Sequence, residues 1–249
     1  MDMSQKIKLI TAKRLNTTGF TLVELMIALF ISSLVMASVI TVYIAQSKSY
    51  AKQDDIAAIQ QNLRGALAIL PMEIRLAGCD PTESKVPGIL AATGTNFRFT
   101  MDTKNNNIPP TNTPDGLITG DEDIAYGFAT TVVTDINGRV LTGGLPWNGT
   151  ASLGRQIANA GGFQPLADNI EALEFNYILD DGTTTLTPIN PKKVRAVQVS
   201  LLARATTGDP EYIHNSTYTT ASGFAWTPNI DNFRRKLVVT TIQCRNMRY

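Results

Sequence analysis

From Leu25 to Ser47 no charged side chain interrupts the chain, and Glu24 is the only charge in the apolar run that begins at Phe20. About 20 apolar residues in an α-helix cross a hydrocarbon core of roughly 30 Å. Residues 20–47 are therefore expected as a membrane-spanning helix, apolar all round. After Lys48 the pattern changes. Ile56, Ile59, Leu63, Leu67, Leu70 and Ile74 recur at spacings of three and four, with Lys52, Asp54, Asp55, Gln61 and Arg64 mostly off that stripe. This is the signature of an amphipathic helix with one packed face. Residues 20–77 thus read as one long helix. Pro71 is expected to kink it or end its regular part, and Gly78 is placed to cap it.

Beyond the helix the pattern loosens and then returns with a period of two. Residues 79–115 read mainly as loop, from the turn chemistry of Asp80-Pro81, Val86-Pro87-Gly88, Asn105-Asn106-Asn107 and Pro109-Pro110. One short strand is expected there, over 96–101. Ile124, Tyr126 and Phe128 alternate with small residues, and Asn137-Gly138 predicts a hairpin within 134–142. Residues 145–167 read as loop, with Trp147, Gly161-Gly162 and Pro165. Leu173, Phe175, Tyr177 and Leu179 share a strand face, and Asp181-Gly182 predicts a tight turn. Val197, Val199, Leu201 and Ala203 form another strand face, and a last strand over 236–245 carries Val238, Thr240, Ile242 and Cys244. The apolar faces of helix and strands each need cover. The fold class is α+β, a long helix packed on a mostly antiparallel sheet.

Charge bears on the N-terminus more than on the rest. The net charge is +1, which implies no nucleic-acid partner. The Arg234-Arg235-Lys236 cluster beside the last strand reads as a solvated edge. Lys6, Lys8, Lys13 and Arg14 precede the apolar run against a single Asp2. That asymmetry predicts a cytoplasmic N-terminus and an exported remainder. A secretory signal would have a small-residue A-x-A site after the apolar run, and none stands near Ala45-Gln46-Ser47. Gly19 stands before the run instead. A cut after Gly19 would remove the basic leader, retain the helix, and leave Phe20 as the new N-terminus.

Gly19-Phe20-Thr21-Leu22-Val23-Glu24-Leu25 resembles the class III signal of type IV pilins and type II secretion pseudopilins. The resemblance implies cleavage after Gly19 by a prepilin peptidase, N-methylation of Phe20, and assembly into a helical filament. The physical reading of Glu24 agrees with a functional role. A carboxylate within an apolar span costs about 2.5–3.5 kcal/mol on insertion scales and usually marks a partner. The natural partner is the α-amino group of Phe20 on a neighbouring subunit, uncovered only by cleavage. Four residues at about 1.5 Å separate the two groups by roughly 6 Å along the axis, so a small stagger between subunits would pair them. The bland alternative is a glutamate reaching the lipid headgroups.

Later residues narrow the resemblance. Glu73-Ile74-Arg75-Leu76-Ala77-Gly78, Asp168-Asn169-Ile170-Glu171-Ala172-Leu173, the strand from Val194 to Arg204, and Arg234-Arg235, Thr240-Thr241-Ile242 and Arg245-Asn246 are similar to segments of PilW-type minor pilins, the first also to GspJ-type minor pseudopilins. The domains expected are a leader over 1–19, a helix over 20–78 whose membrane and assembly half is about 20–47, and a β-rich extracytoplasmic head over 79–249.

Other chemistry is sparse. Cys79 and Cys244 are the only cysteines, and in an oxidising compartment such a pair favours a disulfide. Two buried thiols are the alternative. Asp121-Glu122-Asp123 and Asp180-Asp181-Gly182 are acidic turns of the sort that hold calcium, but neither has EF-hand spacing, and solvated turns are expected. His214 is the only histidine and sits in what reads as an exposed loop. No phosphate-binding glycine loop is present. No catalytic group, metal or cofactor is therefore expected.

The reading is a structural subunit, a PilW-like minor pilin that primes or caps a type IV pilus, and not an enzyme. Its expected partners are the prepilin peptidase and N-methyltransferase, other minor pilins and the major pilin, the inner-membrane assembly platform, and lipid before assembly. The expected location is the inner membrane as a single-pass protein with a periplasmic head, then the pilus. The alternatives are a GspJ-like minor pseudopilin and a pilus-tip adhesin.

Overall fold

The apolar run and the amphipathic stripe join in one α-helix, α1, spanning Leu22–Ile74. The computed structural model describes residues 19–104, 113–128, 132–134, 140–142, 151–158, 160–228 and 230–247. The basic leader, Asn105-Asn106-Asn107, Pro109-Pro110, Asn137-Gly138 and Trp147 lie outside them. The chain divides into two units, one up to Tyr50 and one from Ala51 onward.

In the first unit the helix is wholly exposed, Leu22 through Ile44 included. By length and composition it is able to cross a membrane. Several of its hydroxyls are satisfied within the helix: Ser32 donates to the Ala28 carbonyl at 2.7 Å, Ser38 to Leu34 at 2.9 Å and Thr41 to Ala37 at 2.8 Å. A helix in hydrocarbon needs such internal partners, because the solvent offers none.

In the second unit α1 lies on the sheet. Ile59, Leu63, Leu70 and Ile74 of the stripe are buried, joined by Ala66, which the pattern did not single out. Ile56 is a correction, because it is 41% exposed. At its level the helix meets polar partners instead: Thr207 donates to Asp55 at 2.6 Å and Lys52 to Glu211 at 3.4 Å. Pro71 does not stop the helix at once; the regular part runs on to Ile74. Tighter bonds then follow, from the N–H of Leu76 to Glu73 and of Ala77 to Ile74. Gly78 ends the helix at φ +72, the left-handed cap only glycine takes at no cost.

The strands are β1 (Ile89–Ala92), β2 (Phe97–Thr100), β3 (Asp123–Phe128), β4 (Val132–Thr134), β5 (Val140–Thr142), β6 (Ala151–Ile157), β7 (Ala160–Leu179), β8 (Thr184–Thr185), β9 (Val194–Gly208), β10 (Tyr218–Thr219), β11 (Ala225–Trp226) and β12 (Phe233–Gln243). The main sheet has the order β1-β2-β3-β6-β7-β9-β12, with β8 on β7. All its neighbours are antiparallel. The helix stripe packs into one core with Phe97, Phe99, Tyr126, Phe175, Tyr177, Val197, Val199, Leu201 and Ile242. The predicted faces of β7, β9 and β12 all point there. The Asp181-Gly182 turn is present, with Gly182 at φ +82.

Two loop expectations are corrected. Residues 79–115 contain β1 as well as β2; β1 is four residues long with an irregularity between Ile89 and Ala91, too short and broken to show a period. Residues 145–167 contain β6 and the start of β7. Their pairing shifts register three times, and Gly161, Gly162 and Asn169 take positive φ. Bulges of this kind erase the alternation by which a strand is read. In this structure Cys79 and Cys244 are free thiols. Burial pushes the Cys244 thiol up to about 12. Burial, with Asp102 and Asp80 nearby, raises that of Cys79. Both sulfurs pack as apolar side chains on the core.

Candidate assembly segment and the covered face of the head

At the start of α1, Thr21 is the N-cap. Its Oγ1 accepts from the Glu24 N–H at 3.2 Å, while Glu24 Oε2 accepts from the Thr21 N–H and the Thr21 hydroxyl, both at 2.9 Å. This reciprocal capping box satisfies N–H groups that a helix start leaves without partners. The Thr-x-x-Glu signal stood in the sequence, but the reading of Glu24 as an intermolecular partner left it unused. Glu24 thus has a local role, and both its bonds fall on one oxygen. Phe20 is 90% exposed. Among the described residues, nothing lies within 4 Å of where a Cβ on Gly19 would be.

The helix end is tied to the sheet by a polar clamp. Arg155 on β6 holds Glu73 through two bonds of 2.9 and 2.8 Å, and the Tyr126 hydroxyl on β3 donates to the same carboxylate. Burial and the neighbouring Glu73 carboxylate raise the Tyr126 pKa well above its ordinary value, so the phenol stays a donor.

Part of the sheet face away from α1 is also covered. The β10–β11 hairpin lays Trp226 against Ala172 and Leu202, with Tyr218, Phe224 and Leu237 around them. Ser222 donates its N–H and hydroxyl to Glu174 at 3.1 and 2.9 Å. Beneath lies a buried charge cluster. Arg235 bonds Glu171 through Nε and through Nη2 at 2.9 Å, and Asp231 at 2.7 and 2.5 Å. Its side chain and that of Glu171 are fully buried. The solvated-edge expectation for Arg234-Arg235-Lys236 is therefore corrected at Arg235. Arg234 bonds Asp209 at 2.8 Å and stacks over Tyr212; Lys236 is exposed.

His214 is corrected too. It is buried, stacked on Tyr218 with ring centroids 5.6 Å apart, and its backbone N–H donates to the Asp231 carbonyl at 2.6 Å. The acidic turns are engaged by protein groups. Asp121 pairs with Lys104, and Asp123 takes a bidentate bond from Arg98 at 2.8 and 2.5 Å. Glu122, expected solvated, is buried and accepts the N–H groups of Thr103 and Lys104 at 2.7 and 2.9 Å. Asp181 accepts from Thr183. Among the described residues no group of three or more His, Cys, Asp or Glu is arranged to hold a metal ion.

Residues 148–246 match the family model described as Type IV Pilus-assembly protein W, and residues 14–40 match the Prokaryotic N-terminal methylation motif. Among solved structures, a type IV-like pilin from Thermus thermophilus is similar at 14% identity and a TM-score of 0.45, over 76% of this chain and 96% of that chain. No curated protein matches.

Proposed function

The chain is a PilW-like member of the type IV pilin superfamily, and we propose that it acts as a minor pilin that primes or caps a pilus. The observation that carries this reading is the unbroken, exposed apolar part of α1 up to Ser47, whose one charge, Glu24, is fixed in the first turn beside Gly19-Phe20. The basic leader retains the N-terminus in the cytoplasm while residues 20–47 anchor the chain in the inner membrane. A prepilin peptidase cuts after Gly19, and Phe20 is N-methylated. The new cationic N-terminus of one subunit then meets the Glu24 carboxylate of another. Oε2 remains in the capping box, which leaves Oε1 for that partner. The apolar helices supply the remaining contact, and the head, with other minor pilins, sits at the filament end on the periplasmic side and then at the cell surface.

The capping box decides how to test the pairing. Glu24→Ala removes both the charge and the cap, and a lost cap alone costs about 0.5–2 kcal/mol. Glu24→Gln retains a side chain that serves the box and removes only the charge. The expected result is membrane insertion and processing as in the wild type, with at least a tenfold fall in the amount recovered in sheared filaments. Wild-type incorporation of Glu24→Gln would refute the pairing.

A further inference from the structure

Strand β12 closes the main sheet on one side, with β9 as its neighbour. The ladder runs without a shift from Arg235↔Arg204 to Gln243↔Ala196. Cys244 continues the register, donating its N–H to the Arg195 carbonyl at 2.9 Å. In an antiparallel pair each residue turns its N–H and C=O to the same side, alternately toward the partner strand and away from it. Cys244 sets the phase. Lys236, Val238, Thr240 and Ile242 face β9, whereas Leu237, Val239, Thr241 and Gln243 direct their backbone groups to the open side. The carbonyl of Arg235, in the outward set, accepts the Tyr218 hydroxyl at 3.5 Å. The open stretch therefore begins after it.

Exposed edges are normally blunted by shortness, bulges, proline or inward charge. The opposite edge, β1, is treated this way: it is four residues long and irregular. Among the described residues no strand pairs the outer side of β12, and from Leu237 to Gln243 it has none of these devices. The segment Leu-Val-Val-Thr-Thr-Ile-Gln carries no charge, proline or glycine, and Val239 is 45% exposed. A charge stands on either side of it, on the exposed residues Lys236 and Arg245.

We propose that β12 accepts an extended segment of another protein as an added strand, and that this segment is β-branched or apolar in its middle and carboxylate-bearing at both ends. Main-chain bonds would supply affinity and the flanking charges would supply selectivity. A second copy of this chain is the wrong occupant. Its own β12 segment is flanked by cations, Lys236 and Arg245, and so offers a carboxylate at neither end. The inference depends on the edge of the head and is independent of how α1 assembles.

The test uses the full chain in detergent micelles and a fluorescent peptide, Glu-Thr-Val-Thr-Val-Thr-Val-Glu, with its lysine-flanked counterpart. Saturable binding of the first peptide is expected, with at least tenfold weaker binding of the second. The pair Lys236→Glu and Arg245→Glu should reverse that preference. Val239→Pro removes an outward N–H and spares the β9 ladder, so it should weaken binding at least tenfold at an unchanged unfolding temperature. Amide exchange of the wild type supplies a check that needs no variant to fold: the peptide should slow exchange at Val239 and Thr241. Absent saturable binding, equal affinity for both peptides, or unchanged exchange at those amides would overturn the proposal. So would self-association of the chain that Val239→Pro abolishes.

Discussion

Burial lowers the His214 pKa below its ordinary 6.5, and the nearby Arg235 adds to this against the opposing pull of Asp231 and Glu171. The folded state therefore binds this proton less readily than the unfolded chain. Its contribution to stability is complete above about pH 6.5 and is lost as pH falls below that value toward the folded pKa. Urea unfolding between pH 7.5 and 5 should show stability declining with pH, and His214→Gln should flatten the decline. An unchanged slope in that variant would remove His214 from the account. The carboxylates act in a lower window. Burial pushes the Asp231 carboxyl up, but the bonds from Arg235 and the Phe233 N–H outweigh it and hold it below its ordinary 3.8. Its contribution is present above that value and lost as pH falls further. Neither residue was legible in the sequence. His214 reads as loop and Arg235 as part of a cationic run, because what buries them is the hairpin at residues 218–226, and nothing in a linear pattern says that this hairpin lies back on β9 and β12.

Elements were legible where their period was regular. The stripe on α1 and the inward faces of β7, β9 and β12 follow from spacing alone, because each element buries one side. Gly78 is the element-scale position where the cap and the tertiary fold coincide. It sits at φ +72, and a Cβ there would stand 2.6 Å from Met247 Sδ, on the chain end that crosses back to α1 through the bond from Asn246 to the Arg75 carbonyl at 3.2 Å. Gly78→Ala should cost about 1–2 kcal/mol from the left-handed backbone alone and displace Met247. Thermal unfolding compared with Gly88→Ala, where nothing lies within 4 Å, checks this. Equal midpoints for the two variants would contradict the role given to the cap. Among the elements missed, β1 and β6 with the first part of β7 are interrupted by irregular pairing, positive φ or proline. A bulge shifts one face onto the other, so apolar residues no longer alternate even though the strand persists.

At the scale of the whole molecule, the chain combines an apolar helical segment that leaves its surface exposed with a head whose sheet carries α1 on one face and the β10–β11 hairpin on part of the other. The first part was legible in the sequence: the basic leader, Gly19, the uncharged run and Glu24 are local features whose order is informative. The second was legible only in outline, because long-range pairing decides which charges are buried and which edge stays open. The Thr21–Glu24 box sharpens the reading of the helix, since the glutamate proposed to meet a neighbour's N-terminus also caps the first turn. That role exists only if the chain is processed after Gly19. Intact-mass and N-terminal peptide mass spectrometry of the protein purified from its native membrane tests this most directly. The account predicts a chain beginning with N-methylated Phe20 and lacking residues 1–19. A chain that retains Met1 to Gly19 would contradict it.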